Sequence, residues 1–312
     1  MSTASESAAP ELSVVVVNWN GAAYLAACLE SVRDAARELI VVDNASSDAS
    51  AALVRRGFPE VRWLANDANL GFARAANRGL HAARGRCVLF LNPDARANDD
   101  AIAAAMAVLA ARAEVGLVGV AMRDADGALT PTVEPFFSLW QLRRPWTRRV
   151  RAPRGDGPVA IDWCHGAFFL GRRAELEALG GYDEAYFLYA EDMDLCFRVH
   201  ASGRSVVYLP QVSIVHEGNL AGRELFAERR AAAIFASCLI FYRRHHGRAA
   251  TLLLRTLAAS AFAARTSWYW LTGSPLAARY AALTQVAVRG GPGPGQGATS
   301  SGGTAIATPG KP

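Results

Sequence analysis

Lysine is almost missing: Lys311 is the only one among the 33 basic residues of this 312-residue chain. A phosphate-binding lysine behind a glycine-rich loop therefore has no candidate before that position. Cysteine is sparse as well. Cys28, Cys87, Cys164, Cys196 and Cys238 are scattered, odd in number and never spaced Cys-x-x-Cys, so reduced cytosolic thiols are the simplest reading. No window of about 18 residues is free of charge, and no transmembrane helix is expected. Residues 1–10 lack both a basic head and an apolar run, which argues against a secretory signal and for a frayed, disordered tail. No Gly-x-Gly-x-x-Gly follows the first strand-like run, which argues against a dinucleotide.

What is present is a large apolar fraction, 52% hydrophobic, ample for a core in one large domain or two small ones. The formal charge of +5 is permissive. It suits anionic lipids or diphosphates, and it equally follows from the arginine and alanine excess of a GC-rich genome.

The stretch that organises the rest is residues 88–94, Val-Leu-Phe-Leu-Asn-Pro-Asp. A short apolar run stops at Asn92-Pro93-Asp94, because proline cannot donate to a sheet ladder and asparagine tolerates turn geometry. A buried strand thus delivers Asp94 to its C-terminal tip, where ligands of open α/β sheets bind. A carboxylate there can hold a divalent cation and a diphosphate. Taken alone, Asp94 reads more simply as a cap for the helix that begins near Asp99.

The β-branched run 12–17 predicts a parallel strand buried on both faces, ending in Asn18-Trp19-Asn20-Gly21. Helical spacing over 22–33, a short strand 39–42 ending in Asp43-Asn44, a helix near 51–56, a strand 61–64 and a helix 72–83 follow. Beyond the strand at 88 come a helix 99–112 and a strand 115–120. Such alternation predicts an α/β fold, a doubly wound and mostly parallel central sheet flanked by helices. Three polar tips, Asn18 to Asn20, Asp43-Asn44 and Asn92 to Asp94, should then share one sheet edge. Asp43 has the position of a carboxylate that reads a ribose hydroxyl or a pyrimidine N–H, or of a helix cap.

Between Pro131 and Pro158 the alternation breaks, and residues 141–154 hold six arginines: a flap, an acceptor-facing loop or a solvated linker. The acidic run Glu191-Asp192-Met193-Asp194 opens a helix after five aromatic or apolar residues, which would hold at least one acid at the edge of a dry pocket. Strand-like runs 205–208 and 212–215 lead to His216. A helix over 223–247 closes on Arg243-Arg244-His245-His246-Gly247. A further helical stretch to residue 271 ends in Trp268-Tyr269-Trp270 and reads either as an interfacial amphipathic segment or as a plain core helix. The tail from Gly290 should be disordered.

Five motifs in order make the chain resemble glycosyltransferase family 2 of the GT-A fold, in its bacterial rhamnosyltransferase-like branch. They are Val14-Val15-Val16-Val17-Asn18-Trp19-Asn20; Val41-Val42-Asp43-Asn44 with Ala45-Ser46-Ser47-Asp48; the run from Asn69-Leu70-Gly71-Phe72 to Asn77-Arg78-Gly79; Leu91-Asn92-Pro93-Asp94; and Glu191-Asp192-Met193-Asp194-Leu195-Cys196. The family's Asp-x-Asp metal motif stands here as Asn92-x-Asp94, with one carboxylate replaced by an amide. The resemblance implies a glycosyltransferase domain over 11–247; outside it the residues themselves predict a C-terminal helical segment over 248–289 that touches a membrane surface or packs as core, and disordered tails at 1–10 and 290–312.

It further implies an inverting transfer of a rhamnose-like sugar from a nucleoside-diphosphate-sugar to an acceptor hydroxyl, in cell-surface polysaccharide or glycolipid assembly. Asp43 would read the pyrimidine; Asn18, Asn20, Asn69, Gly71, Asn77, Asn92 and Asp94 would line the donor side. Asp94 and His216 would hold Mg²⁺ or Mn²⁺. Asp192 would be the general base, with His165, Gly166, Ala167 and Glu191 on the acceptor side. Glu191 and Asp194 crowd Asp192 with like charge while the helix N-terminus opposes them. The expected partners are the donor and a saccharide or polyprenyl-linked acceptor, with no nucleic acid, in the cytoplasm or at the inner face of the plasma membrane. Two other readings stay open: a sugar-phosphate nucleotidyltransferase, which the missing lysine opposes, and an inactive nucleotide-sugar-binding protein, suggested by Asn92.

Overall fold

The structure, a computed structural model, describes residues 11–139, 142, 153–218 and 229–290. The arginine-rich segment and both tails fall largely outside the described residues.

The β-branched run forms β1 (Leu12–Asn18), followed by α1 (Ala22–Glu30), β2 (Glu38–Asp43), α2 (Ser50–Gly57), β3 (Arg62–Ala65), α3 (Phe72–Ala82) and β4 (Cys87–Leu91). These strands pair in parallel, in the order β3-β2-β1-β4. Side chains alternate across the sheet because successive Cβ atoms point to opposite faces. Leu12, Val14, Val16 and Val41 join one core with α1, α2 and residues Ala101, Ile102, Ala105 and Leu109, while Val15, Val17, Ile40 and Val42 join a second with α3. That explains why β1 reads as an unbroken apolar run instead of an alternating one.

A short β5 (Ala95–Arg96), α4 (Asp99–Ala111) and β6 (Val115–Arg123) continue the chain. Four small strands follow, β7 (Leu129–Thr130), β8 (Val133–Glu134), β9 (Val159–Ile161) and β10 (Trp163–Cys164), then β11 (Phe168–Arg172) and α5 (Arg173–Ala178). The sheet keeps its expected mostly parallel character, but β11 enters antiparallel between β4 and β6. The sequence alternation gives no sign of this, because β11 arrives from the broken region. Its consequence is that the residues just before Phe168 reach the edge where β1, β2 and β4 end.

After α6 (Glu191–Ala201) comes β12 (Ser205–His216), parallel to β6. The two strands expected at 205–208 and 212–215 are one, with an irregularity between Leu209 and Ser213. Pro210 lies there and cannot donate to the ladder. The helix expected from residue 223 is described from Arg230: α7 (Arg230–Leu271) breaks at Gly247, whose φ of 82° is left-handed, and α8 (Leu276–Arg289) returns along its second arm. These helices build a third core around Phe235, Phe241, Leu254, Phe262 and Leu283, which also takes in Tyr186 and, from α6 itself, Met193. The C-terminal helical extension is thereby joined to the acidic helix. Among the described residues no helix is long and apolar enough to cross a membrane.

Candidate functional site

The C-terminal tips of β1 and β2 meet side by side, with Asn18 opposite Asp43 in register. Asn18 Nδ2 donates to Asp43 Oδ1 at 2.9 Å, and Asp43 Oδ2 accepts the Ser46 N–H at 3.1 Å. Ser46 Oγ donates to Asp43 Oδ1 at 2.5 Å and accepts the Asn20 N–H at 2.9 Å, while Asn20 Oδ1 accepts the Ser47 N–H. Asp43 does not cap α2; Asp48 takes the Ser50 N–H at that helix start. Buried Asn18 Oδ1 has no hydrogen-bond partner among the described residues, an acceptor left open at the sheet edge.

Asn69 Oδ1 accepts the Gly71 N–H, and Asn44 Nδ2 donates to the Gly71 carbonyl. Gly71 has φ +83, and a Cβ there would lie 2.5 Å from the Phe187 carbonyl oxygen, so only glycine fits. Asn77 is buried with both ends of its amide taken by backbone: Nδ2 donates to the Tyr182 carbonyl and Oδ1 accepts the Tyr182 N–H, each at 2.8 Å. It pins the loop after α5 through the Tyr182 backbone.

Asp94 follows β4 after Asn92-Pro93. The helix cap that it resembles in sequence is Asn98, whose side chain accepts the Ala101 N–H at 2.8 Å. Pairing of β5 with the end of β12 sets His216 opposite Ala95, and the Asp94 carbonyl accepts the Glu217 N–H. That register brings His216 Nε2 to 3.2 Å from Asp94 Oδ1. Both residues are largely buried, and His216 Nε2 makes no hydrogen bond among the described residues. An imidazole nitrogen and a carboxylate facing each other at a strand edge fit a divalent cation. Among the described residues no third His, Cys, Asp or Glu joins them, so a cation there would take its other ligands from diphosphate oxygens and water. The side chain of Asn92, half-buried two residues before Asp94, offers an amide where the family pattern has a carboxylate.

Antiparallel β11 explains how the acidic helix joins this edge. Phe168 pairs with Leu91, and the Ala167 carbonyl accepts the Asn92 N–H, so His165, Gly166 and Ala167 lie beside Asp94 in the sheet's plan. The Gly166 N–H donates to Asp192 Oδ2 at 3.1 Å, and Asp192 Oδ1 takes the Met193 N–H at 2.8 Å. A Cβ on Gly166 would stand 3.1 Å from Asp192 Cβ and 3.3 Å from the Phe169 ring, a tight fit that would push these neighbours aside by a few tenths of an ångström. Upstream, Tyr189 and Ala190 are both left-handed, at φ 73 and 65. For residues carrying Cβ atoms that is strained by about 1–3 kcal/mol each, immediately before the first turn of α6.

Burial lifts the Asp192 carboxyl above its ordinary range; a positive charge on His165 and the two N–H donors pull it back, and Glu134 pushes it up. Glu191 lies deeper. Burial, and then the Asp192 charge, hold it well above the usual carboxylate range, and its Oε2 has no partner among the described residues. Desolvation therefore wins over the helix N-terminus for both acids. Asp194 is a paired charge, with Arg198 Nε donating to Oδ2 at 2.6 Å and His245 Nε2 to Oδ1 at 2.7 Å, and it still adds a smaller upward push on Glu191.

Three contributors have no role in the sequence reading. Ser46 joins both β tips, and its place inside the Asp43 motif is the signal that marks it. Glu134, 3.4 Å from His165 Nε2, comes from the region where alternation breaks and carries no local signal. His245 belongs to a run that reads as an ordinary basic helix ending.

Residues 13–177 match the family described as glycosyl transferase family 2. The N-acetylglucosaminyl-diphospho-decaprenol L-rhamnosyltransferase of Mycobacterium tuberculosis is 30% identical over 257 residues, which span 72% of this chain and 83% of that protein. The rhamnosyltransferase WbbL of Escherichia coli K12 is 25% identical over 150 residues, 45% of this chain and 56% of its own. Among solved structures, the mannosyltransferase PcManGT from Pyrobaculum calidifontis, in complex with GDP-Man and Mn²⁺, superposes with a TM-score of 0.58 at 21% identity, covering 91% of this chain and 88% of that one. At such identity the likeness is one of fold.

Proposed function

The chain belongs to glycosyl transferase family 2, in its rhamnosyltransferase-like branch, and from that premise we propose an inverting, metal-dependent transfer of a rhamnose-like sugar from a nucleoside-diphosphate-sugar to an acceptor hydroxyl. A glycosyltransferase of polysaccharide or glycolipid assembly is the coarse identity; donor, metal and stereochemistry are the proposal. The observation that carries it is the Gly166–Asp192 hydrogen bond, which fixes a carboxylate of raised proton affinity on the edge that also bears Asp43, Asp94 and His216.

In this reading Asp192 takes the proton from the acceptor hydroxyl as that oxygen attacks the anomeric carbon on the face opposite the leaving group, inverting the centre. The backbone N–H of Gly166 holds the carboxylate in place, so the base is oriented before substrate arrives. Asp43 receives the N–H of the pyrimidine ring, with Asn18 Oδ1 as an open acceptor beside it. Asp94 and His216 would hold Mg²⁺ or Mn²⁺, which neutralises charge on the diphosphate when bound. Gly71 lets backbone approach the donor closely, Asn69 and Asn77 fix the loops around it, and His165, Ala167 and Glu191 form the acceptor side.

The relative's name supports a polyprenyl-diphosphate-linked saccharide as acceptor and rhamnose as the sugar; we adopt both, with thymidine diphosphate as the preferred carrier and the cytoplasmic face as the place of reaction. The test is Asp192→Asn. It should lower turnover by about 10²–10⁴-fold, the usual contribution of a positioned base, while thymidine-diphosphate-rhamnose in the presence of Mn²⁺ still raises the melting temperature as it does in the parent. Lost donor binding with unchanged residual turnover overturns the base assignment. A parent protein that neither transfers nor hydrolyses any nucleotide-sugar supports an inactive binding protein instead.

A further inference from the structure

Beyond Gly247, the second arm of α7 carries two apolar faces where a hairpin packed on a globular domain needs one. Leu254, Ala258 and Phe262 are buried and meet Tyr280, Leu283 and Ala287 of α8. On another side, Leu253, Leu257, Ser260, Ala264, Trp268 and Leu271 are all exposed and recur at intervals of three or four, the spacing of one continuous helical stripe. Leu253 is 52% exposed, Leu257 46%, Trp268 65% and Leu271 74%. At 1.5 Å per residue the stripe is about 27 Å long. Leu252 and Trp270 flank it and are as open to solvent.

This stripe holds no charge, because the two arginines within its span, Arg255 and Arg265, are turned away. Arg255 Nε donates to the Ala287 carbonyl, and Arg265 donates to the Ala261 and Leu142 carbonyls while its guanidinium lies over the Tyr280 ring. Charge gathers instead at the Gly247 end of the hairpin, where Arg243, Arg248 and Arg289 are exposed. After Glu228 the sequence contains no aspartate or glutamate at all, while residues 229–289 contain nine arginines.

We infer that the hairpin formed by the second arm of α7 and α8 docks on an anionic lipid bilayer, lying in its surface plane with the stripe in the acyl boundary and the exposed arginines at the phosphates. The charge pattern selects this occupant. A second copy of the chain would bring another hairpin with arginines and no carboxylate to receive them, so like charges would face each other; an anionic lipid surface supplies the missing sign and an apolar layer together. Trp268 and Trp270, with an apolar body and one N–H donor each, suit the boundary between headgroups and acyl chains. Docking of this kind does not depend on the transferase reading, because binding is measured without turnover.

The experiment is sedimentation of the full chain with sucrose-loaded vesicles, of phosphatidylcholine alone or with phosphatidylglycerol added. Binding should be at least about tenfold tighter to the anionic vesicles and should weaken as salt rises. The double variant L257S/W268S, at exposed positions where packing is not at stake, should keep the parent's melting temperature and lose about tenfold or more in vesicle binding. Binding that is equal for parent and variant, or absent from both vesicle types, overturns the proposal. So does a dimer of the parent that forms without lipid and dissolves in the variant, since a second copy would then be what covers the stripe.

Discussion

Asp194 Oδ1 accepts a hydrogen bond from His245 Nε2 at 2.7 Å, across 51 residues of sequence. The carboxylate is fully buried on the first turn of α6, two residues after Asp192, and the imidazole packs against the rings of Phe197 and Phe241. Arg198 completes the cluster, and Arg244 pairs with Asp183 at 2.9 Å nearby. The first arm of α7 is thus fastened to the helix that presents the proposed base.

His245→Ala should destabilise the fold by about 1–3 kcal/mol, the cost of leaving a buried acceptor short of one donor, since Arg198 still neutralises the carboxylate. It should also lower kcat several-fold while leaving KM for the donor unchanged, because the first turn of α6 loses its brace. His245→Gln, which restores an N–H near the same place, should recover most of both. Denaturant melts and steady-state kinetics on the two variants check this; a kcat equal to the parent's in the alanine variant would reduce His245 to packing.

His165 is one of the groups that tune the carboxyl of the proposed base, Asp192. Burial holds the Asp192 carboxyl above its ordinary range, and a base must be deprotonated, so activity should fall as pH drops through that raised value. A positive charge on His165 favours the carboxylate, so His165→Ala removes a lowering influence and should move the acid limb of kcat/KM to higher pH. A pH–rate profile of parent and variant decides it, and an acid limb in the same place would mean that His165 and Asp192 do not interact in the working enzyme.

Glu191 should make the folded protein lose stability with rising pH. Its carboxyl is lifted well above the unfolded value of about 4.3 by burial and by the Asp192 charge. Below that unfolded value both states hold the proton. Above it the unfolded chain releases the proton first, so unfolding gains until the folded group also ionises. Glu191→Gln removes the titration and should grow more stable relative to the parent as pH rises from 4 to 8, taken as rough limits around the unfolded value. Parallel stability curves by denaturant titration at several pH values would show that Glu191 is ionised in the fold.

What could be read from the sequence divides along the range of the interactions involved. The parallel half of the sheet was legible because β1, β2 and β4 are buried on both faces, which forces uninterrupted apolar runs ended by Asn18, Asp43 and Asn92. The meeting of Asp94 with His216 was an expectation of resemblance, and its physical cause, the antiparallel β5–β12 register, has no signature in a two-residue strand such as Ala95-Arg96. Antiparallel β11 was hidden for a similar reason. Phe168 to Leu170 reads as an apolar strand either way, and only long-range pairing with Leu91 makes its preceding loop bring Gly166 to Asp192. His245 was invisible in the same sense: a basic residue near a helix end has a sufficient local explanation, and the buried carboxylate that it serves lies on another element.

The sharpest separation of structural from chemical roles is between the two residues of the proposed cation site. Asp94 carries charge and His216 does not need to, so they should fail differently. Asp94→Ala should abolish the Mn²⁺-dependent part of nucleoside-diphosphate binding, because no described carboxylate replaces it. His216→Ala should leave that dependence in place but weaken it by at least about tenfold, the loss typical even of outer-shell partners of a metal. Calorimetry of thymidine diphosphate with and without Mn²⁺ measures both. Diphosphate binding that is the same with and without Mn²⁺ in the parent removes the cation from the mechanism and leaves His216 Nε2, buried 3.2 Å from Asp94 Oδ1, as a direct phosphate donor. In that case His216→Ala should cost more affinity than Asp94→Ala, the reverse of the order expected for a metal site.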